Sequence, residues 1–152
     1  MSTKYVHTNI IAKDWKRLSA FYQEVFDCVP APPERDLSGE WLDKVTGIKA
    51  SHIRGMHLRL PGHGENGPTL EIFEYESMPE HPSVQPNTPG FSHIAFIVDD
   101  VEAKSQEILD HGGSTIGEIA VRDLSGVGLL TFQYLRDSEG NVVEIQNWKK
   151  PN

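Results

Sequence analysis

The sequence predicts an α+β fold built from two copies of one βαβββ unit, at about residues 5–76 and 91–148. A short strand containing a Glu-Ile pair lies near the end of each half, and an apolar strand opened by a His lies near its start. Between the halves, the stretch 77–90 contains four prolines, which disfavour regular structure and predict a linker. At 152 residues, both units together suit a single domain.

The two Glu-containing strands read LEIFEY at 70–75 and VEIQNW at 143–148. Both are rich in β-branched or aromatic residues, which favours strands. Neighbouring side chains of a strand point to opposite faces, so Glu71 and Glu144 project away from the apolar residues beside them. For either carboxylate alone there are two interpretations: the polar face of a half-solvated strand, or a group that faces a shared cavity.

The two His-led strands read HTNIIAKDW at 7–15 and HIAFIVDDV at 93–101. In each, an Asp follows the His by seven residues and begins a helical pattern. Two His and two Glu in matched places of an internal repeat form a metal-ligand set, because imidazole and carboxylate suit borderline to hard divalent ions. The predicted metal ligands are His7, Glu71, His93 and Glu144.

In the first half, Asp14 is a good N-cap, and apolar residues recur at helical spacing as far as about Asp27. Pro30, Pro32 and Pro33 then end the helix and predict an extended segment. We expect a short helix within 34–48, closed by Gly47. Trp41 in this segment either packs against the rest of the domain and holds the segment in place, or forms a lid or wall of a pocket.

The remaining pattern predicts strands at 50–60, 114–119 and about 127–136, and a second helix at about 100–111. Within the first of these strands, His57 lies near the centre and either faces solvent or lines a cavity.

The net charge and the cysteine content exclude some classes of function. The net charge of −8 argues against a nucleic-acid partner, although it is compatible with an anionic small molecule held by a local Arg or by the metal. Cys28 is alone, so it forms no intrachain disulfide, and we interpret it as a packing residue in a reducing compartment. The sequence shows no signal pattern and no apolar run of membrane-spanning length, so we expect a cytoplasmic protein with no membrane partner.

These motifs together resemble the vicinal oxygen chelate superfamily, which includes glyoxalase I, extradiol dioxygenases and bleomycin resistance proteins. The resemblance rests on the two His-strands, the capped first helix with Phe21 and Tyr22, the Leu-Glu-Ile strand, and the Asp-x-x-Gly-Asn-x-x-Glu-Ile ending. It covers about residues 5–148. It implies two βαβββ modules whose sheets curl around one divalent metal, with Ni, Zn, Co, Mn and Fe all open.

The resemblance also implies a mechanism and a partner class. Four protein ligands on a six-coordinate ion would leave two positions for a small substrate with neighbouring oxygens, whose enediolate the ion would stabilise. In enzymes of the glyoxalase I type a ligand Glu acts as the base, and its counterpart is Glu144, with Glu71 as the other possibility. We also expect a homodimer, because curled half-barrels expose strand edges and apolar faces.

Individual members of the superfamily can be partly separated. Glyoxalase I has Glu at both carboxylate positions, as this chain does, whereas extradiol dioxygenases have a His in place of one Glu and methylmalonyl-CoA epimerase usually has Gln in place of Glu71. Bacterial glyoxalase I tends to have Arg and Asn where this chain has Ile11 and Tyr75, so the use of glutathione stays open. We therefore expect a metal-dependent lyase or isomerase. The alternatives are a ring-cleaving dioxygenase and a metal-free binding protein of the bleomycin-resistance kind.

Overall fold

The structure is a computed structural model that describes residues 2–150. The chain forms two compact units, and the boundary between them lies between His81 and Pro82. The division lies within the proline-containing stretch 77–90, where no helix or strand occurs. Each unit combines a mixed sheet with at least one helix, which confirms the predicted α+β class. Within residues 2–150, no helix has the length and apolar character needed to cross a membrane.

The first unit is a four-stranded sheet with two helices. Strand β1 runs parallel to β4, and the other neighbours are antiparallel, in the order β1-β4-β3-β2. Its elements are β1 (His7–Ile11), α1 (Trp15–Phe26), β2 (Val29–Ser38), α2 (Glu40–Thr46), β3 (His52–Arg59) and β4 (Thr69–Tyr75).

Helix α1 forms where the sequence predicts it and covers one face of this sheet. The Asp14 carboxylate accepts a hydrogen bond from the Arg17 backbone N–H, which satisfies an otherwise unpaired donor of the first turn. The helix packs against β3 and β4. The fully buried side chains of this core are Leu18, Tyr22, Val25, Leu58, Leu70 and Ile72. Because these strand residues face α1, Glu71 and His57 face the other side of the sheet.

Strand β2 occupies the extended segment that the prolines predict and continues as far as Ser38. It is a ten-residue strand at the edge of the sheet, and its pairing with β3 shifts between Ala31 and Arg35. Proline cannot donate a ladder hydrogen bond, so an edge strand with an irregular register is where it can be accommodated.

Helix α2 confirms the predicted short helix, with Gly47 at its C-cap in the left-handed conformation. Its anchor is Leu42, which is buried against Ile53 and Phe73. Trp41 is 57% exposed, and its indole N–H donates to the Ser38 carbonyl at 3.1 Å. Leu42, rather than Trp41, therefore holds this segment to the sheet.

The second unit repeats the arrangement with one more strand. Its sheet order is β5-β9-β8-β6, with β7 also paired to β8, and β5 runs parallel to β9. Its elements are β5 (His93–Ile97), α3 (Val101–Asp110), β6 (Ser114–Thr115), β7 (Ala120–Leu124), β8 (Gly128–Arg136) and β9 (Val142–Lys149). The prediction of a single strand at 114–119 is wrong. The chain instead forms the two-residue strand β6 and, after it, the separate and mostly exposed strand β7. Helix α3 is as predicted, capped by Asp100.

Candidate metal and proton-transfer site

In the first unit, strand register brings three potential metal ligands to the sheet face opposite α1. Glu71 lies directly between Asn9 of β1 and His57 of β3. His7 lies one pleat away on the same face of β1. One ligand atom from each of His7, His57 and Glu71 lies within 4.8 Å of the others. Two of the four predicted ligands, His7 and Glu71, therefore lie together in this unit, with His57 as a third donor.

The Glu71 carboxylate is held from three directions. Its Oε2 lies 2.8 Å from His57 Nε2, and its Oε1 lies 3.8 Å from His7 Nε2. Asn9 Nδ2 donates to Oε1 at 2.9 Å. Because only 14% of the Glu71 side chain is exposed, these contacts replace much of the water around the carboxylate.

His57 is the least exposed imidazole of this cluster. Burial lowers its pKa, and the positive charge of Arg35 acts in the same direction, while the charge of Glu71 opposes both. Its Nδ1 is 3.0 Å from the Thr69 hydroxyl, and its ring meets the Phe73 ring edge-on at 5.9 Å. A lowered pKa favours the neutral imidazole, which is the form that binds a metal.

In the second unit, the other two predicted ligands lie together. His93 Nε2 lies 3.0 Å from Glu144 Oε2, and the exposed fractions of these side chains are 28% and 12%. Gln146 Nε2 donates to Glu144 Oε1 at 3.2 Å. The Trp148 indole N–H in turn donates to the side-chain carbonyl of Gln146, which orients the amide towards the carboxylate.

Tyr134 completes this cluster from the neighbouring strand. It is the direct register partner of Glu144, and its ring lies 5.0 Å from that of His93. Burial raises the pKa of Tyr134, and the charge of Glu144 and a hydrogen bond to that carboxylate raise it further. The phenol therefore stays protonated and donates to Glu144.

The two clusters are equivalent by register. Each Glu is flanked by the strand that carries the His and by an antiparallel strand whose partner residue is His57 in one unit and Tyr134 in the other. Neither flanking residue belongs to the predicted set. The alternation of the strands is the sequence signal that indicates both residues. His57 precedes Leu58 and Tyr134 precedes Leu135, and both Leu side chains are buried. Each flanking residue therefore points away from the core, as the Glu of its unit does.

The donor types fit a divalent ion. Neutral imidazole nitrogen and carboxylate oxygen suit Mn, Fe, Co, Ni and Zn. Cys28 contributes nothing to such a site, because its thiol is buried and burial raises its pKa to about 12. His52 also lies apart from the cluster and instead contacts the carboxylates of Asp36 and Glu76.

The profile of the glyoxalase/bleomycin resistance protein/dioxygenase superfamily matches residues 6–127. The chain belongs to this superfamily. No curated protein sequence matches the chain significantly.

The chain also shares its fold with several solved structures. A glyoxalase family protein from Bacillus cereus aligns with a TM-score of 0.82 at 16% identity, over 97% of this chain and 95% of that one. One from Enterococcus faecalis aligns with a TM-score of 0.59 at 23% identity, over 94% and 96% of the two chains. The fosfomycin resistance protein FosX from Listeria monocytogenes, determined with Mn(II) and sulfate, aligns with a TM-score of 0.55 at 16% identity, over 98% and 95%.

Proposed function

We propose that this superfamily member is a divalent-metal-dependent lyase or isomerase of the glyoxalase I type, acting on a small α-hydroxycarbonyl compound. The observation that carries the proposal is the pair of His–Glu contacts at equivalent register positions of the two units. The residues that would hold the ion are His7, Glu71, His93 and Glu144, with His57 beside Glu71. When bound, the ion would supply Lewis-acid stabilisation of substrate oxygen atoms.

Glu144 is the proposed proton acceptor. Its carboxylate receives hydrogen bonds from Gln146 and Tyr134, two neutral groups that orient it without neutralising its charge. A carboxylate so oriented can take a proton from a carbon next to a carbonyl group and return it to the neighbouring carbon. Glu71 is the other possible acceptor.

The surroundings of His57 supply an apolar wall. Phe73 contacts the His57 ring and belongs to the apolar cluster that Leu42 of α2 completes. A wall of this kind keeps water away from the Glu71 carboxylate, which strengthens its electrostatic interactions.

The identity of the ion is open among Ni, Zn, Co, Mn and Fe. The Listeria monocytogenes FosX structure contains Mn(II), which makes manganese one natural choice for the first trials.

Deuterium exchange tests the proposed proton transfer directly. The protein, loaded in turn with each metal, is incubated in D2O with a panel of α-hydroxycarbonyl compounds, and NMR follows the hydrogen on the carbon next to the carbonyl. We expect metal-dependent incorporation of deuterium that ceases when a chelator is added. A metal-loaded protein that exchanges no proton in any compound contradicts the proposal, and oxygen uptake with catechols and Fe(II) would support the dioxygenase alternative instead.

We further propose that the protein acts as a cytoplasmic homodimer. The lone Cys28 fits a reducing compartment. Large apolar side chains lie exposed, among them Val45, Phe91 and Ile97, and association would cover such surface.

A further inference from the structure

Arg35 is a half-buried cation on the sheet face that carries the His7, His57 and Glu71 cluster. It pairs in register with Gly55, which lies two residues before His57 on β3. Positions two apart on a strand share a face and are separated by about 6.6 Å, so Arg35 lies in the row of residues next to that of His57 and Glu71.

No carboxylate of residues 2–150 pairs with Arg35. Its guanidinium donates to the Pro33 carbonyl, whereas Arg54 on the opposite face pairs with Asp36 at 3.7 Å. A guanidinium has five N–H donors arranged to bind a carboxylate through two parallel hydrogen bonds. Arg35 therefore has donors to spare beside the metal-ligand cluster.

Gly55 and Phe73 are the neighbours of Arg35 in its row of the sheet. Gly55 has no side chain, and the Phe73 ring occupies the space above it, because an added Cβ would sit 2.1 Å from the Ile72 carbonyl oxygen and 2.4 Å from the ring. The cation is thus bordered by a glycine and an aromatic ring. The net charge of −8 repels anions, so a local cation such as Arg35 favours the binding of an anion at this surface.

We infer that Arg35 binds a carboxylate of the substrate, so that the substrate is an acid whose neighbouring oxygens occupy the site while its carboxylate lies on Arg35. This inference rests on the proposed function and specifies its substrate class. It assigns Arg35 to binding and specificity, with no part in proton transfer.

Hydroxamates provide probes with one chelating group and variable charge. Zn²⁺-loaded protein is titrated calorimetrically with acetohydroxamic acid, which lacks a carboxylate, and with the monohydroxamates of malonic, succinic and glutaric acids, which carry a carboxylate at increasing distance. For the best-fitting acid we expect affinity about 10- to 100-fold above that of acetohydroxamic acid, as a hydrogen-bonded charge pair provides. Arg35→Gln should remove this preference and leave the affinity for acetohydroxamic acid unchanged.

Arg54→Gln is the matched control, since it removes the same charge from the opposite face of the same sheet, and it should keep the preference. A preference that persists in Arg35→Gln, or is absent from the wild type for every acid, overturns the inference while leaving the proposed function intact. Failure of every hydroxamate to bind in a metal-dependent way overturns both.

Discussion

Glu71 and Glu144 occupy equivalent strand positions, yet different groups hold their carboxylates. Glu71 is bracketed by two imidazoles and an amide, whereas Glu144 contacts one imidazole, an amide and a phenol. Two of the three groups at Glu71 are potential metal ligands, whereas only one of the three at Glu144 is. This difference is the reason that we propose Glu144 as the proton acceptor.

Substitution of each Glu by Gln distinguishes its role as a metal ligand from its role as a general base. Glu144→Gln keeps the shape and one weak oxygen ligand, so we expect it to retain metal and to lose about 10²- to 10⁴-fold in turnover, the usual contribution of a general base. Glu71→Gln should keep more turnover per bound metal. Metal occupancy and deuterium exchange are measured for both variants. Full activity of metal-loaded Glu144→Gln rules out its role as base, and reversed behaviour of the two variants assigns that role to Glu71.

The sequence predicts His7, Glu71, His93 and Glu144 as one ligand set, because the repeat places them at matched positions. In the first unit His7 lies 3.8 Å from Glu71, and in the second His93 lies 3.0 Å from Glu144. The sequence does not single out His57, because a His in mid-strand is compatible with either solvent or a cavity until the register with Glu71 is known. Register depends on which strands become neighbours, and this is settled by tertiary packing rather than by local pattern.

At the scale of single elements, the helices are the best predicted parts because their caps are local. The Asp100 carboxylate accepts the Ala103 N–H at 2.9 Å at the start of α3. Asp100→Ala should lower the free energy of unfolding by about 1 kcal/mol, the typical value of an N-cap, in urea titrations. Asp99→Ala, which removes the neighbouring carboxylate that does not cap the helix, is the control. Equal losses in both variants contradict the capping role.

The strand pairing at the edge of the first unit should depend on pH through His52. Its Nε2 lies 2.5 Å from Asp36 of β2, and its Nδ1 lies 3.0 Å from Glu76, which follows β4. The hydrogen bond to Asp36, and then that to Glu76, raises the pKa of His52. A raised pKa in the folded state means that this stabilisation is fully present below the ordinary value of about 6.5 and is lost as pH rises through the raised value.

We therefore expect the stability difference between the wild type and His52→Gln to be largest in mildly acidic solution and to shrink as the solution becomes alkaline. Urea titrations across this pH range measure it. His63→Gln, in the exposed turn between β3 and β4, is the control. A difference that stays constant with pH, or that grows on the alkaline side, contradicts the bridging role.

The elements that the sequence predicts poorly are those that local preference disfavours or leaves undefined. Strand β2 contains three prolines, which have no backbone N–H to donate. It still forms because it lies at the sheet edge and pairs with β3 on one side only. Strand β7 has four of its five residues exposed, so it lacks the apolar alternation by which a half-buried strand is recognised.

At the scale of the whole molecule, we expect a homodimer in solution. The exposed apolar residues Val45, Phe91 and Ile97 would cost solvation free energy if they stayed in water. Sedimentation velocity at micromolar concentration should give twice the chain mass of 17.0 kDa. A monomer at this concentration contradicts the expectation.

The measurement that tests the central claim most directly is the metal content of the purified chain after loading and exhaustive dialysis, determined by mass spectrometry of the elements. The account predicts one divalent ion per chain in the wild type and its loss in both His7→Ala and His93→Ala, because each variant removes one of the four ligands that we propose for a single ion. No bound ion in the wild type contradicts the claim. Full retention of the ion in His93→Ala, or two ions per chain, would show that the two pairs do not share one ion.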